Sequence, residues 1–101
     1  MGKEVVIESK VTERFEERGW LERKCIYAGR KGSPDRWYLR KGMWVLVEYK
    51  RPGEQPDAIQ KREHQRLADH GQKVIVIDNI ELGYDLVERL TAESDERARR
   101  K

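Results

Sequence analysis

Glu48 and Lys50 stand two residues apart at the end of the apolar run Met43-Trp44-Val45-Leu46-Val47-Glu48-Tyr49-Lys50. On an extended strand that spacing sends both side chains to one face. Asp35 opens the preceding run, Asp35-Arg36-Trp37-Tyr38-Leu39-Arg40, and Lys41-Gly42 is a tight turn between the two. A hairpin of this kind brings Asp35 within reach of Glu48. Two carboxylates converging on one point need a proton or a cation between them. Oxygen ligands alone select a hard ion, Mg²⁺ or Mn²⁺, which keeps several waters and binds phosphate. A lysine beside such an ion can orient or deprotonate an attacking water and offset charge on a phosphate in transit. The duller alternative is a turn-capping Asp35 and a solvated cross-strand ion pair at Glu48 and Lys50.

A further acid comes from the first helix, expected over Glu4 to Arg18, where Ile7, Val11 and Phe15 recur every fourth residue. At about 100° per residue, Glu8 lies roughly 60° from Val11 and roughly 20° from Phe15, inside the apolar stripe. Glu4 is one turn earlier, on the same stripe. An acid on the core face needs a partner: the metal, a metal-bound water, or a cation such as Lys24 or Arg23.

The elements that would position these groups follow in order. Gly19 suits a helix C-terminus, and Trp20 to Ala28 alternates loosely as a first strand. Gly29-Arg30-Lys31-Gly32-Ser33-Pro34 is a basic loop. Asp35–Arg40 and Met43–Lys50 are the second and third strands. Arg51 to Pro56 breaks the pattern. A second helix is expected over Asp57 to His70, with Ile59 and Leu67 as its apolar marks. Val74 to Ile77 is a short buried strand, and Glu81 to Glu93 a last helix with Leu82, Leu86 and Leu90 on one stripe and Val87 beside it. Residues 94–101 carry no core pattern and are expected to fray as a basic tail. The order helix-strand-strand-strand-helix-strand-helix implies an α/β fold on a mixed sheet: an antiparallel meander, then a right-handed crossover to a fourth strand.

The chain has 101 residues, 41% of them charged and 37% hydrophobic, so one small core must come from a few concentrated segments. The net charge of +3 is a mild bias toward polyanions and does not establish nucleic-acid binding. A single cysteine, Cys25, excludes an intrachain disulfide framework. No segment approaches the roughly 20 apolar residues of a membrane span, and no signal-peptide core is present. A cytoplasmic protein is expected.

Pro34-Asp35 followed by Glu48-Tyr49-Lys50 resembles the PD-(D/E)xK nuclease signature. The fuller pattern resembles the small stand-alone, phage-type virus-type replication-repair (VRR-NUC) nucleases: a helical glutamate, G-S-P-D-R, V-E-Y-K, Gln60, then L-A-D-H-G-Q-K-V-I-V-I-D. It spans roughly Glu4 to Asp78. The resemblance implies a restriction-endonuclease-like fold and metal-dependent hydrolysis of DNA phosphodiesters; a single domain is expected over residues 1–93, and nothing is inherited from the resemblance after Asp78. It also implies a homodimer cleaving branched DNA as Holliday-junction resolvases do. Position by position, Asp35 and Glu48 would hold Mg²⁺ or Mn²⁺, helped by the Tyr49 backbone carbonyl. Lys50 would position the water, and Gln60 would approach from the second helix. Glu8 or Glu4 would be the helical acid, in contact or through water, with Glu8 favoured. No small-molecule cofactor and no membrane is implied.

Lys24, Arg30, Lys31, Ser33 and Arg36 flank this centre and could grip the DNA backbone, although charge clusters are commonly just solvated. His64, one turn beyond Gln60, could reach phosphate, but a solvated histidine is the expectation. His70 suits a helix C-terminus, and Cys25 a small core position. Trp20, Trp37 and Trp44 are core or dimer-interface candidates. Two rival functions remain: a restriction-type or non-specific PD-(D/E)xK nuclease, and a DNA-binding dimer that keeps the fold without the chemistry.

Overall fold

A computed structural model of the protein describes residues 2–100. The elements are α1 (Lys3–Glu17), β1 (Leu21–Lys24), β2 (Arg36–Arg40), β3 (Met43–Tyr49), α2 (Ala58–Asp69), β4 (Val74–Ile77) and α3 (Ile80–Arg99). They form one four-stranded sheet in the order β1-β2-β3-β4. The first three strands are an antiparallel meander, and β4 joins β3 in parallel after the α2 crossover. The α/β architecture and mixed sheet expected from the sequence are thus present.

Strand alternation divides the sheet into two unlike faces. Tyr38, Val45, Val47, Tyr49 and Ile77 point inward and are buried against Ile7, Val11 and Phe15 of α1 and Val87 and Leu90 of α3. The alternate residues, Trp37, Leu39, Trp44, Leu46 and Glu48, point to the opposite face, where α2 lies. Phe15 stacks on Tyr38 with ring centroids 3.7 Å apart. Gly83 lets α3 approach α1, because a Cβ there would sit 2.6 Å from a Val11 methyl.

The inner core also holds a chain of hydroxyls: Thr12 Oγ1 lies 2.7 Å from Tyr38 Oη, which lies 2.8 Å from Tyr49 Oη. Buried hydroxyls of this kind need partners, and here they satisfy one another. Tyr49 is therefore anchored on the inner face, and Glu48 and Lys50, its neighbours, must project outward. Core packing thereby sets the direction of the E-x-K motif.

Three sequence expectations need correction. The first strand ends at Lys24 instead of Ala28. Cys25 N–H still donates to the Asp35 carbonyl (2.9 Å), but Ile26 is then 83% exposed and Tyr27 turns toward α2. On α2, Ile59 is exposed and the one buried side chain is Glu63, because the inward face of this helix is polar. The last helix does not fray at residue 94. It runs to Arg99, and Ser94 continues the buried Gly83-Val87-Leu90 stripe, whereas Leu82 is 65% exposed. Of the expected basic tail, Lys101 lies outside the described residues.

Candidate active site

The hairpin β2–β3 delivers the first three groups. Asp35 sits one residue before β2, after the buried Pro34, with its N–H on the Val47 carbonyl (3.0 Å). Its carboxylate accepts the Tyr49 N–H at 2.6 Å. In a strand the N–H and C=O of one residue leave on the same side, so the Tyr49 carbonyl also heads toward the Asp35 side. Glu48, 2% exposed, lies close enough to Asp35 for the two carboxyls to perturb one another. Lys50 Nζ is 3.8 Å from Glu48 Oε2.

The fourth group comes from α2. Asp57 caps this helix by accepting the Gln60 N–H (2.8 Å), and Gln60 Oε1 accepts the Asp57 N–H (3.0 Å), a reciprocal capping box. That box fixes the amide of Gln60 with its oxygen toward Asp57. The amide nitrogen is left to donate to Glu48 Oε2 at 3.1 Å. Asp57-x-x-Gln60 is the sequence signal of this capping box.

A second contact seats α2 against the basic loop. Tyr27 Oη donates to Glu63 at 2.7 Å, and Gly32, at φ +93°, packs so closely on Ile59 and Glu63 that a Cβ would meet the Ile59 carbonyl at 3.1 Å. Neither Tyr27 nor Glu63 is marked by any motif. Together they fix the loop that leads into Pro34-Asp35.

Charge is poorly accommodated here without a cation. Burial and the neighbouring Asp35 carboxylate push Glu48 up to about 8. Asp35 is also raised, by burial first and by the Glu8 charge, against the lowering effect of the Tyr49 N–H. Glu48 Oε1 is buried with no hydrogen-bond partner among the described residues. No group of three or more His, Cys, Asp and Glu side chains is arranged to hold a metal among the described residues. The available donor set is two carboxylates and a main-chain carbonyl. It is an all-oxygen set with net negative charge and one orphaned carboxylate oxygen, which fits a hard divalent ion.

The helical acids are placed elsewhere. Glu8 accepts from Lys24 (2.8 Å) and Arg36 (2.6 Å). Burial raises its pKa, but those two hydrogen bonds outweigh burial and hold the carboxyl below its usual range. Glu4 pairs with Arg51 at 2.8 Å. Glu8 thus acts on Asp35 through its charge, and its partners are cations of the sheet's inner face. Lys24 and Arg36, expected to grip DNA, are engaged by Glu8, and Arg36 by Glu22 as well. Arg30 and Lys31 are exposed and form no ion pair among the described residues, and Ser33 Oγ lies 3.4 Å from the Cys25 carbonyl. His64 departs from its solvated expectation: its side chain is 15% exposed and its Nε2 is 3.7 Å from Glu48 Oε1.

No known family model matches the sequence. A protein named "Putative nuclease p44", from Acyrthosiphon pisum secondary endosymbiont phage 1, is 40% identical over 77 residues, which cover 75% of this chain and 83% of the phage protein. A solved structure named "VRR_NUC domain" superposes with a TM-score of 0.81 at 37% identity, covering 87% of this chain and 97% of its own. The chain belongs to the VRR-NUC nuclease family. Its fold is the PD-(D/E)xK-like fold of that family, and its function is that of a nuclease. Among the described residues of this VRR-NUC chain, no helix is long and apolar enough to cross a membrane.

Proposed function

We propose that this VRR-NUC protein is a divalent-metal-dependent endonuclease that hydrolyses DNA phosphodiesters, selective for branched DNA of the Holliday-junction type and acting as a homodimer. One observation carries the chemistry: two carboxyls, Asp35 and Glu48, meet at a buried point with Lys50 beside them and an unpartnered Glu48 Oε1 between strand and helix. Asp35, Glu48 and the Tyr49 carbonyl would hold Mg²⁺ or Mn²⁺. When bound, the ion would neutralise the two carboxylates and polarise a phosphate oxygen.

The remaining roles belong to the chain itself. Lys50, an ammonium 3.8 Å from Glu48, orients the attacking water and counters the charge that grows on the phosphate. Gln60 holds Glu48 Oε2, and Glu8 adds its field at Asp35. Arg30 and Lys31, exposed on the loop that leads into Pro34-Asp35 and without an ion pair among the described residues, supply positive charge suited to the DNA backbone. A homodimer would place two such centres for paired cuts in a two-fold symmetric junction.

The test is cleavage of a four-way junction and of linear duplex of matching sequence, with Mg²⁺, with Mn²⁺ and with EDTA. Junction cutting in either metal and none in EDTA is expected. Asp35→Ala, Glu48→Gln and Lys50→Ala should each lower cutting at least about 100-fold while junction binding survives. Undiminished cutting by Glu48→Gln would remove the metal-centre assignment, and equal cutting of linear duplex would remove the junction selectivity.

A further inference from the structure

Three buried side-chain polar atoms lack a hydrogen-bond partner among the described residues, and two of them face each other: Glu48 Oε1 and His64 Nε2, 3.7 Å apart. Buried polar groups are nearly always partnered, so a facing pair of orphans asks for an account. The two atoms are chemically complementary. An imidazole N–H donates and a carboxylate oxygen accepts, and a side-chain shift of under about 1 Å brings 3.7 Å to ordinary hydrogen-bond length.

The helix makes the pairing specific. Gln60 and His64 are four residues apart on α2 and therefore share one face. Gln60 already donates to Glu48 Oε2, with its amide fixed by the capping box. His64 stands over the other oxygen of the same carboxylate. The polar inward face of α2 is thus shaped to grip both oxygens of one glutamate.

We propose that His64 is a positioning residue that donates its Nε2–H to Glu48 Oε1, completing with Gln60 a two-point grip that aims the Glu48 carboxylate at the divalent ion. This rests on the metal-centre reading above. Each carboxylate oxygen has a second lone pair, so a donor on one side leaves the other free for the cation. A neutral donor also leaves the full carboxylate charge to that cation. Hydrogen bonds to ligating carboxylates govern metal affinity in this way, and their loss typically weakens binding about 10–100-fold.

The experiment is calorimetric titration of the full-length protein with Mn²⁺ alone, comparing wild type, His64→Ala and His64→Gln. The amide nitrogen of a glutamine can reach the place of Nε2. His64→Ala should bind Mn²⁺ about 10–100-fold more weakly, and His64→Gln should recover most of that loss with both variants melting near wild type. The Mn²⁺ spectrum of wild type should show no directly coordinated nitrogen, and nitrogen NMR of His64 should show the Nε2–H tautomer. Equal Mn²⁺ affinity in His64→Ala overturns the proposal while leaving the metal centre standing. So does a directly bound histidine nitrogen, which would make His64 a ligand, or a His64→Gln protein as weak as His64→Ala. If wild type itself binds no Mn²⁺, the metal-centre reading fails first, and the two failures are thereby distinguished.

Discussion

At the scale of single residues, Glu48 is the group whose environment conflicts most with its charge. Asp35, Lys50, Gln60, His64 and the more distant Asp57 surround it, and only Lys50 offers a full positive charge. Its pKa rises from 4.5 to about 8 in the metal-free fold. Between those two values the folded chain keeps a proton that the unfolded chain has released. Stability contributed by this group is complete below about pH 4.5 and is lost as pH rises through about 8, at up to about 1.4 kcal/mol per pH unit. Asp35 is raised too and pulls in the same direction, whereas burial lowers His64, which pulls the other way as pH rises toward about 6.5. Urea melts in EDTA should show stability falling from pH 5 to pH 8, and Glu48→Gln should flatten that slope. A wild-type stability that rises across the window would contradict the placement of the two carboxyls. The hairpin residues could be read from one dimension because Glu48-Tyr49-Lys50 ends a strand, where spacing fixes direction, and Pro34-Asp35 leads directly into its partner strand. His64 could not, since its significance lies in an unpaired oxygen contributed by another element.

At the scale of elements, α2 and α3 behave oppositely to what their apolar residues suggest. Ile59 and Leu67 look like a core stripe, yet α2 is held by Gln60, Glu63 and His64, which no hydrophobic pattern detects. The sequence ending of α3 looks like a solvated tail because it is charged. Its charges have partners: Arg40 donates to Ser94 Oγ and Asp95 Oδ1, both at 2.6 Å, and Lys41 reaches Asp95 at 2.7 Å. Those hydrogen bonds hold Asp95 down to about 2. The final turns of α3 therefore clasp the β2–β3 turn, the same hairpin that carries Asp35 and Glu48. Removing residues 94–101 would leave the half-buried Arg40 guanidinium without these acceptors and uncover the space under Ser94. A loss of about 1–3 kcal/mol is expected, and a melting temperature several degrees lower for a chain of this size. Circular-dichroism melts of the truncated and full chains decide it. Coincident melts would show the extension to be ornamental.

At the scale of the whole molecule, the two sheet faces were not distinguishable in advance, because β2 and β3 are apolar on both sides. Alternation of Trp37, Leu39, Trp44 and Leu46 with Tyr38, Val45 and Val47 says only that both faces want cover. The structure gives the inner face two helices and the outer face one, and α2 sits toward β4 and the Glu48 end. Trp44 is left 48% exposed against Trp37, ring centroids 4.7 Å apart, with Leu21 45% exposed on the neighbouring edge strand. Of the three tryptophans only Trp20 is buried, its indole N–H on Thr91 at 2.9 Å. The proposed homodimer has a natural seat on this uncovered aromatic surface, since interface cores are rich in such residues and poor in charge. Placing a charge there should separate the copies without touching the centre at Glu48, four residues along the strand. Trp44→Glu is expected to run as a monomer at tens of micromolar by light scattering, to keep wild-type Mn²⁺ affinity, and to nick junctions singly where wild type makes paired cuts. A wild-type chain that is already monomeric at that concentration would sink the dimer. A Trp44→Glu protein that remains dimeric would move the interface off this face, because two copies packed through Trp44 cannot bury a pair of facing carboxylates without a cation between them.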